Sequence, residues 1–337
     1  MNGDTAQAVT ISGERQRALE GFNEETTMSE IILHHYGLSP FAEKVRTALG
    51  LKGLAWRSVD VAPMPPRPLL HALTGGYRRI PVLQIGADIY CDTQIILPAL
   101  ERLAPAPAPT LYPGGSAGLA QGLGFAWERA MWVPTIGVLS HYIGDQLPEA
   151  FIKDRKEGYL GFDMRKAAMA PDLPHHLQVV HAHYGWLKAA LADGRPFLFG
   201  AAPGALDLAC WQTTFLLRKN CPADVDGLLG LAPLVPWYER IAAIGHGSST
   251  PMTAEEALAI ARSARPAPLD GLRPDGDPAG LSAGTVVTVT PDDNARVAVR
   301  GTLVAASDAE VVIHRHDEQA GDVHVHFPRL GFDVVAA

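Results

Sequence analysis

The chain has 337 residues, of which 47% are apolar, and carries a formal net charge of −8 at pH 7. At about 150 residues per domain, this length predicts two domains with room for a small third one. The apolar fraction excludes a globally disordered chain. The excess of 36 acidic over 28 basic residues excludes a basic surface along the whole chain, so we expect no nucleic-acid partner.

Cysteine content and hydropathy predict the compartment. Cys91, Cys210 and Cys221 form no CxxC pair, which excludes a disulfide framework and a cysteine zinc site and favours the reducing cytoplasm. The most apolar stretch, residues 197–217, is interrupted by glycine, proline and aspartate, whereas a membrane-spanning helix needs about 20 mostly apolar residues. We therefore expect no membrane partner. Residues 1–28 are polar without a signal-peptide pattern and predict a flexible tail.

Residues 29–108 alternate between strand and helix patterns and predict an α/β domain. Ser39-Pro40 follow the first apolar run and are a helix N-cap and a first-turn proline. Gly86-Ala87 turn a hairpin, and Asp92-Thr93 come directly before the last helix of the domain. The predicted strands cover 31–36, 56–61, 80–85 and 88–91, and the predicted helices cover 41–50, 69–73 and 94–103.

An Ala/Pro-rich linker at 104–109 separates this domain from residues 117–264, which contain almost only helical patterns. They predict an all-helical domain with helices at 119–140, 146–158, 173–192, 205–219, 231–244 and 254–264. A second linker, rich in proline, glycine and aspartate, follows at 265–280.

Residues 281–337 change to short β-rich runs separated by turn residues and predict a small antiparallel β barrel or sandwich. The predicted strands cover 285–290, 296–299, 302–304, 310–313, 323–327 and 332–335.

Four histidines of this β segment have even numbers on two neighbouring predicted strands: His314, His316, His324 and His326. Alternation along a strand predicts that they project from one face. Clustered imidazoles can bind zinc or copper, but a polar, solvated or interface face explains the same pattern. We assign no metal site.

Three motifs together resemble the glutathione S-transferase family: Ser39-Pro-Phe-Ala-Glu-Lys-Val-Arg46 after a strand, Arg79-Ile-Pro-Val-Leu83, and Asp92-Thr93 at a helix start. The resemblance covers about residues 31–262 and implies a thioredoxin-like domain followed by the all-helical domain. The last β segment has no counterpart in the family pattern. The family further implies a homodimer and glutathione as co-substrate, with no metal or nucleotide cofactor.

By this resemblance, Ser39 is the hydroxyl that stabilises the glutathione thiolate, and Tyr36 is the rival donor. Ser39 is also a plain N-cap in the alternative interpretation, and one hydroxyl can fill both roles. The reaction implied is attack of the thiolate on an electrophilic small molecule, as in detoxification.

The remaining site residues also follow from the resemblance. Ile80-Pro81 should be a cis junction whose Ile80 backbone pairs with the cysteinyl part of glutathione. Asp92 and Thr93 should hold the γ-glutamyl group at a helix N-terminus; the family more often has serine where this chain has Thr93. The glycyl carboxylate needs a cation, for which Arg79 is our choice.

Several alternatives stay open. Arg67, Arg78 and His71 are the other candidates for the glycyl carboxylate. Trp127 is our choice among the aromatic residues that could line an electrophile pocket; Trp132 and Tyr142 are the others. The alternative function is a non-catalytic glutathione- or protein-binding member of the fold, with the β segment as an interaction or oligomerisation element.

Overall fold

The computed structural model describes residues 30–269, 272 and 277–337. The tail predicted over 1–28 lies outside the described residues, as does part of the linker predicted over 265–280.

The first elements follow the predicted order: β1 (Ile31–His35), α1 (Pro40–Leu51), β2 (Ala55–Asp60), α2 (Pro68–Thr74), β3 (Val82–Ile85), β4 (Asp88–Cys91) and α3 (Thr93–Leu103). β1 pairs parallel with β2 and antiparallel with β3, which pairs antiparallel with β4. Adjacent residues of β1 enter different cores, as the pleat requires. Leu33 packs with Val45 of α1 and Ile96 of α3, whereas Ile32 packs with Ala257 on the opposite face. This is the thioredoxin-like layout expected for the first domain.

The following residues form a helical layer: α4 (Ala117–Ile143), α5 (Glu149–Gly158), α6 (Lys166–Met169), α7 (Leu173–Ala190), α8 (Ala205–Asn220), α9 (Val225–Leu228) and α10 (Val235–Ala242). α4 packs against α7 and α8, and α8 also contacts α1. Asp207 accepts hydrogen bonds from the Gly204 N–H and from the indole of Trp237, so it stabilises the start of α8. Among the described residues, no helix is long and apolar enough to cross a membrane.

Two elements between the helical layer and the last strands complete the first sheet. β5 (Ser248–Pro251) pairs parallel with β2 at the sheet edge. Its four residues are all exposed, so no apolar alternation predicts this strand. α11 (Ala254–Ser263) starts with a capping box between Thr253 and Glu256. It packs against α2 and β9 on one face of the sheet.

The C-terminal strands are β6 (Val286–Pro291), β7 (Val299–Ala306), β8 (Glu310–Asp317), β9 (Gly321–Pro328) and β10 (Phe332–Ala336). β7 is one strand where the sequence predicts two, because Gly301 lies within it and not in a turn. A side chain there would place its Cβ 2.8 Å from the His314 carbonyl oxygen of the neighbouring strand. The glycine therefore marks close strand contact.

The predicted antiparallel C-terminal strands are present, but they do not close into a barrel of their own. β9 pairs parallel with β4, and the described strands form one ten-stranded sheet in the order β10-β6-β7-β8-β9-β4-β3-β1-β2-β5. Pairing with β4 covers an edge that the first domain would otherwise leave open. The two segments thus share one hydrophobic core, in which Ile89 of β4 packs with Val325 of β9.

A buried charged cluster lies beside the β4–β9 pairing. His326 contacts Asp88 through Nε2 at 3.0 Å and Glu310 through Nδ1 at 2.6 Å, and its ring stacks on Tyr90. Burial disfavours the imidazolium, but hydrogen bonds and charge from the two carboxylates outweigh it and raise the pKa of His326 above 6.5. The imidazolium therefore links β4, β8 and β9.

This cluster predicts a pH-dependent stability. Because the folded-state pKa of His326 exceeds its unfolded value, its contribution is complete below about pH 6.5 and is lost as pH rises through the folded-state pKa. We expect the His326→Gln variant to be less stable than the wild type at pH 6, by about 1–3 kcal/mol, with a smaller difference at pH 9. Urea unfolding at both pH values measures this. A difference that grows with pH would contradict the assignment of a buried imidazolium.

Candidate functional site

Two adjoining cavities lie where the first sheet meets the helical layer. The narrow groove includes Arg79, Asp92, Thr93, Gln94 and Arg129 in its lining. The larger apolar cavity includes Ser39, Leu139, Ile143, Leu147, Phe151 and Leu160 in its lining. Both are lined by Phe41, Ile80, Trp132 and Tyr159, so Ile80 stands at their junction.

Ser39 lies at the N-terminus of α1 and lines the apolar cavity. Its Oγ accepts a hydrogen bond from the Ala42 N–H at 3.2 Å, so the N-cap role predicted for it is present. An accepting hydroxyl keeps its own hydrogen for a second partner. The helix N-terminus adds a positive potential at the same place.

The loop that carries Ser39 is held from behind by Arg46. The Arg46 guanidinium donates to the Gly37 carbonyl at 2.9 Å and pairs with Glu43. Glu43 also contacts His246 at 3.0 Å. Burial raises the pKa of Glu43, but the His246 hydrogen bond and the Arg46 charge outweigh it and hold the pKa below 4.5. A charged, largely buried network therefore fixes the backbone beside Ser39.

Ile80 lines both cavities, and the Ile80–Pro81 bond is cis, as predicted. Among the described residues, no backbone hydrogen bond uses the Ile80 N–H or C=O. A short extended peptide could pair with both groups in the manner of an added strand.

Asp92 and Thr93 stand at the start of α3 and line the groove, but not the apolar cavity that contains Ser39. Asp92 has a φ of 92°, which is rare outside glycine and is typical of strained functional positions. One of its carboxylate oxygens accepts from the Gln94 N–H at 3.0 Å. The Thr93 hydroxyl accepts from Lys44 at 3.0 Å and so retains its own hydrogen.

Both arginines of the groove already contact carboxylates. Arg79 pairs with Asp293 and lies 3.6 Å from Asp92. Arg129 pairs with Asp292. Asp292 and Asp293 directly follow β6, so the segment that forms the C-terminal strands also contributes residues to the groove. No sequence pattern predicts that the C-terminal segment reaches the groove.

Two family models match the chain: the N-terminal domain of glutathione S-transferase over residues 33–108 and its C-terminal domain over residues 163–240. A solved GST-like protein from Pseudomonas syringae is 35% identical over 92% of this chain and 100% of its own, with a TM-score of 0.75. The chain belongs to the glutathione S-transferase family. The family prediction from the three motifs is therefore confirmed.

Glutathione transferase GSTFuA3 from Phanerochaete chrysosporium is 18% identical over 65% of this chain and 98% of its own, with a TM-score of 0.50. At that identity the likeness shows only the glutathione S-transferase fold. The match to the Pseudomonas protein covers 92% of this chain. Residues 1–280 make up less than 92% of the chain, so the matched region includes part of the C-terminal strands. No curated protein matches the chain.

Trp127 lines neither the groove nor the apolar cavity. It packs edge-on against His183, with ring centroids 5.2 Å apart. Glu128, Arg129 and Trp132 of α4 line the groove instead. Side chains two positions apart on a helix point about 200° apart around its axis, so Arg129 and Trp127 lie on different faces of α4. Trp127 was predicted to line the electrophile pocket, but Trp132 supplies an aromatic lining to both cavities. The ring of Phe41 packs against that of Trp132.

The apolar cavity has cationic side chains in its lining. Arg78 pairs with Asp154, and Arg155 contacts the same carboxylate. Arg67 donates only to the backbone oxygens of Ala62 and Arg78, at 2.7 and 2.8 Å. Among the described residues it has no carboxylate within salt-bridge distance. Burial is the main cause of the lowered pKa of Arg67.

The histidines of the C-terminal strands share one face, as predicted: His314 pairs across from His324, and His316 from Asp322. Asp88, His324 and His326 bring three ligand-type atoms within 4.8 Å of one another. Both ring nitrogens of His326 already contact carboxylates. A metal ion would have to replace those contacts, so the donor set suits an ion-pair cluster better than a metal centre.

Proposed function

We propose that this protein is a glutathione transferase in which the Ser39 hydroxyl stabilises the thiolate and the electrophile reacts from the apolar cavity. One observation carries the proposal: Ser39 lines the apolar cavity, which shares Ile80 with the groove that contains Asp92 and Thr93. A peptide laid along Ile80 thereby reaches from the α3 N-terminus towards Ser39.

The energy required of Ser39 is modest. A free thiol has a pKa of about 8.5, and lowering that pKa by one or two units takes about 1.4–2.7 kcal/mol. A hydrogen bond to a charged group contributes about 1.5–3 kcal/mol, and the α1 N-terminus adds a favourable potential. Tyr36 also lines the apolar cavity and stays the rival donor.

The α3 end of the groove suits the γ-glutamyl group. The Asp92 carboxylate can accept from its ammonium, and the Thr93 hydroxyl can donate to its carboxylate while accepting from Lys44. Two arginines are candidates for peptide carboxylates. Arg79 lies in the groove but is held by Asp293, whereas Arg67 lines the apolar cavity without a carboxylate partner among the described residues.

The apolar cavity suits a hydrophobic electrophile, because aliphatic and aromatic side chains make up most of its lining. With a serine at position 39, conjugation is the reaction that the site supports best, since glutaredoxin-style exchange, which passes through a protein disulfide, would require a cysteine there. The sulfur forms a bond to the electrophilic carbon. In a substitution, a leaving group departs from that carbon with its bonding electrons; in an addition, the neighbouring atom that receives the displaced electron pair takes up a proton.

Replacing Asp92 tests the binding half of the proposal. Asp92→Asn keeps the α3 cap acceptor and tolerates a positive φ, but loses the charge that attracts the ammonium. We expect glutathione affinity, measured by calorimetry, to fall about tenfold, since a charged hydrogen bond is worth about 1.5–3 kcal/mol, with little change in turnover at saturation.

The wild type decides between the two candidate functions. Retention on glutathione-agarose together with turnover of a panel of electrophiles supports the transferase. Retention without any turnover would favour the non-catalytic binding protein, and unchanged glutathione affinity in Asp92→Asn would remove Asp92 from the site.

A further inference from the structure

The turn between β6 and β7 reaches from the C-terminal strands into the groove. We call residues Asp292, Asp293 and Asn294 the acidic turn. Asp293 and Asn294 line the groove together with Leu330 and Gly331 from the β9–β10 connection and Phe332 of β10. The groove therefore has a wall built from a segment outside the two matched family domains.

The acidic turn contacts both arginines of the groove. The Arg79 guanidinium pairs with the Asp293 carboxylate and also contacts the Asn294 carbonyl oxygen. Arg129 pairs with Asp292, and its Nε lies 3.7 Å from Asp293. Asp293 therefore lies against both cations that a carboxylate in the groove would seek.

The turn is anchored to both sides of the groove. The Asp292 N–H donates to the Gly331 carbonyl at 3.0 Å, which ties β6 to the β9–β10 connection. The Ala295 N–H donates to the Tyr159 carbonyl of the helical layer at 2.8 Å. Ala295 is buried, with 4% of its surface exposed. These bonds hold the Asp293 carboxylate at the groove rather than leaving it on a free loop.

The charges of the Arg79 pair are only partly exposed. The side chain of Arg79 is 16% exposed and that of Asp293 is 28% exposed, so water screens the pair less than a surface ion pair. A ligand carboxylate has to compete with Asp293 for the guanidinium groups of Arg79 and Arg129. A ligand without carboxylates does not compete for them.

We propose that Asp293 is a specificity-determining residue that occupies Arg79 and Arg129 in place of a ligand carboxylate, and so sets how tightly the groove takes an anionic peptide thiol. The inference rests on the proposed function, because it takes glutathione as the occupant of the groove. The C-terminal strands then tune the site with a charge that they place at the groove.

The test compares Asp293→Asn with the wild type, using glutathione and glutathione diethyl ester as calorimetric probes. The diester keeps the thiol and the ammonium but carries no carboxylate. We expect the variant to bind glutathione about tenfold more tightly, which corresponds to about 1.4 kcal/mol, and the diester within about twofold of the wild type. Asp333→Asn is the matched control, since Asp333 pairs with Arg296 at an exposed position of the same segment.

Unchanged or weaker glutathione binding in Asp293→Asn overturns the inference, and a parallel loss for both probes would mean that Asp293 instead accepts from the ligand ammonium. If glutathione binds neither the wild type nor the variant, the proposed function itself fails. Asp293→Ala repeats the comparison without a side-chain amide, and circular dichroism verifies that both variants are folded.

Discussion

Replacing Ser39 by alanine should lower conjugation turnover about 10- to 100-fold at neutral pH, while glutathione affinity changes little. The variant loses the hydrogen bond to the thiolate, which is worth about 1.5–3 kcal/mol, and the pKa of the bound thiol rises towards its free value of about 8.5. Turnover should therefore recover at high pH, where the thiolate forms unaided. The pH dependence of thiolate ultraviolet absorbance in the complex measures the shift directly.

A purely structural role for Ser39 makes a different prediction. Ser39 caps α1 through the Ala42 N–H, and losing a cap costs about 1 kcal/mol of stability. Ser39→Thr keeps both the cap and a hydroxyl, so it should retain most of the turnover. If Ser39→Ala has only the stability cost, and Tyr36→Phe raises the thiol pKa instead, then Tyr36 is the donor.

Local signals predicted the first domain well because its decisive features lie close together in sequence. Ser39-Pro40 start α1 as a cap and a first-turn proline should. The hairpin of β3 and β4 turns at Gly86, whose φ of 59° favours glycine. Each of these depends on a few neighbouring residues, so a single sequence contains the information.

The position of the last strands could not be predicted in the same way. β9 pairs with β4 across the sheet, and His326 meets Asp88 across 238 positions of chain. Strand alternation predicts which side chains share a face, and it did so for His314 and His324, but it contains no information about which distant edge a strand joins. A separate barrel or sandwich was predicted because the strand patterns identify the strands but not the long-range pairing of β9 with β4.

The same limit explains the unpredicted half of the groove. Arg79, Asp92 and Thr93 come from one domain and share a motif pattern, so they could be named together. Asp293 is one of three polar residues in a turn, and only the ten-stranded sheet brings it to Arg79. Trp127 was predicted to line a pocket because it is aromatic, but it lies on a face of α4 that lines neither cavity.

A buried ion pair at the groove joins the two domains. The Lys44 ammonium of α1 contacts the Glu128 carboxylate of α4 at 2.7 Å, and the two side chains are 3% and 9% exposed. Lys44 also donates to Thr93, and Gln94 donates to Glu128 at 3.0 Å. Burial raises the pKa of Glu128 above its ordinary value of 4.5, and the Lys44 charge and hydrogen bond offset only part of that rise. Lys44 is therefore the main group that favours the ionised form of this buried carboxyl.

Replacing Lys44 by methionine should destabilise the protein by about 3–5 kcal/mol in urea unfolding at neutral pH, because it leaves the buried Glu128 charge without its partner. Without Lys44, the folded-state pKa of Glu128 rises further above its unfolded value. The loss in free energy of unfolding should therefore shrink as pH falls towards 5 and the carboxyl takes up a proton. Adding Glu128→Gln removes the unpaired charge and should restore most of the lost stability. A double variant as unstable as the single one would mean that Lys44 stabilises the fold through its packing and not through Glu128.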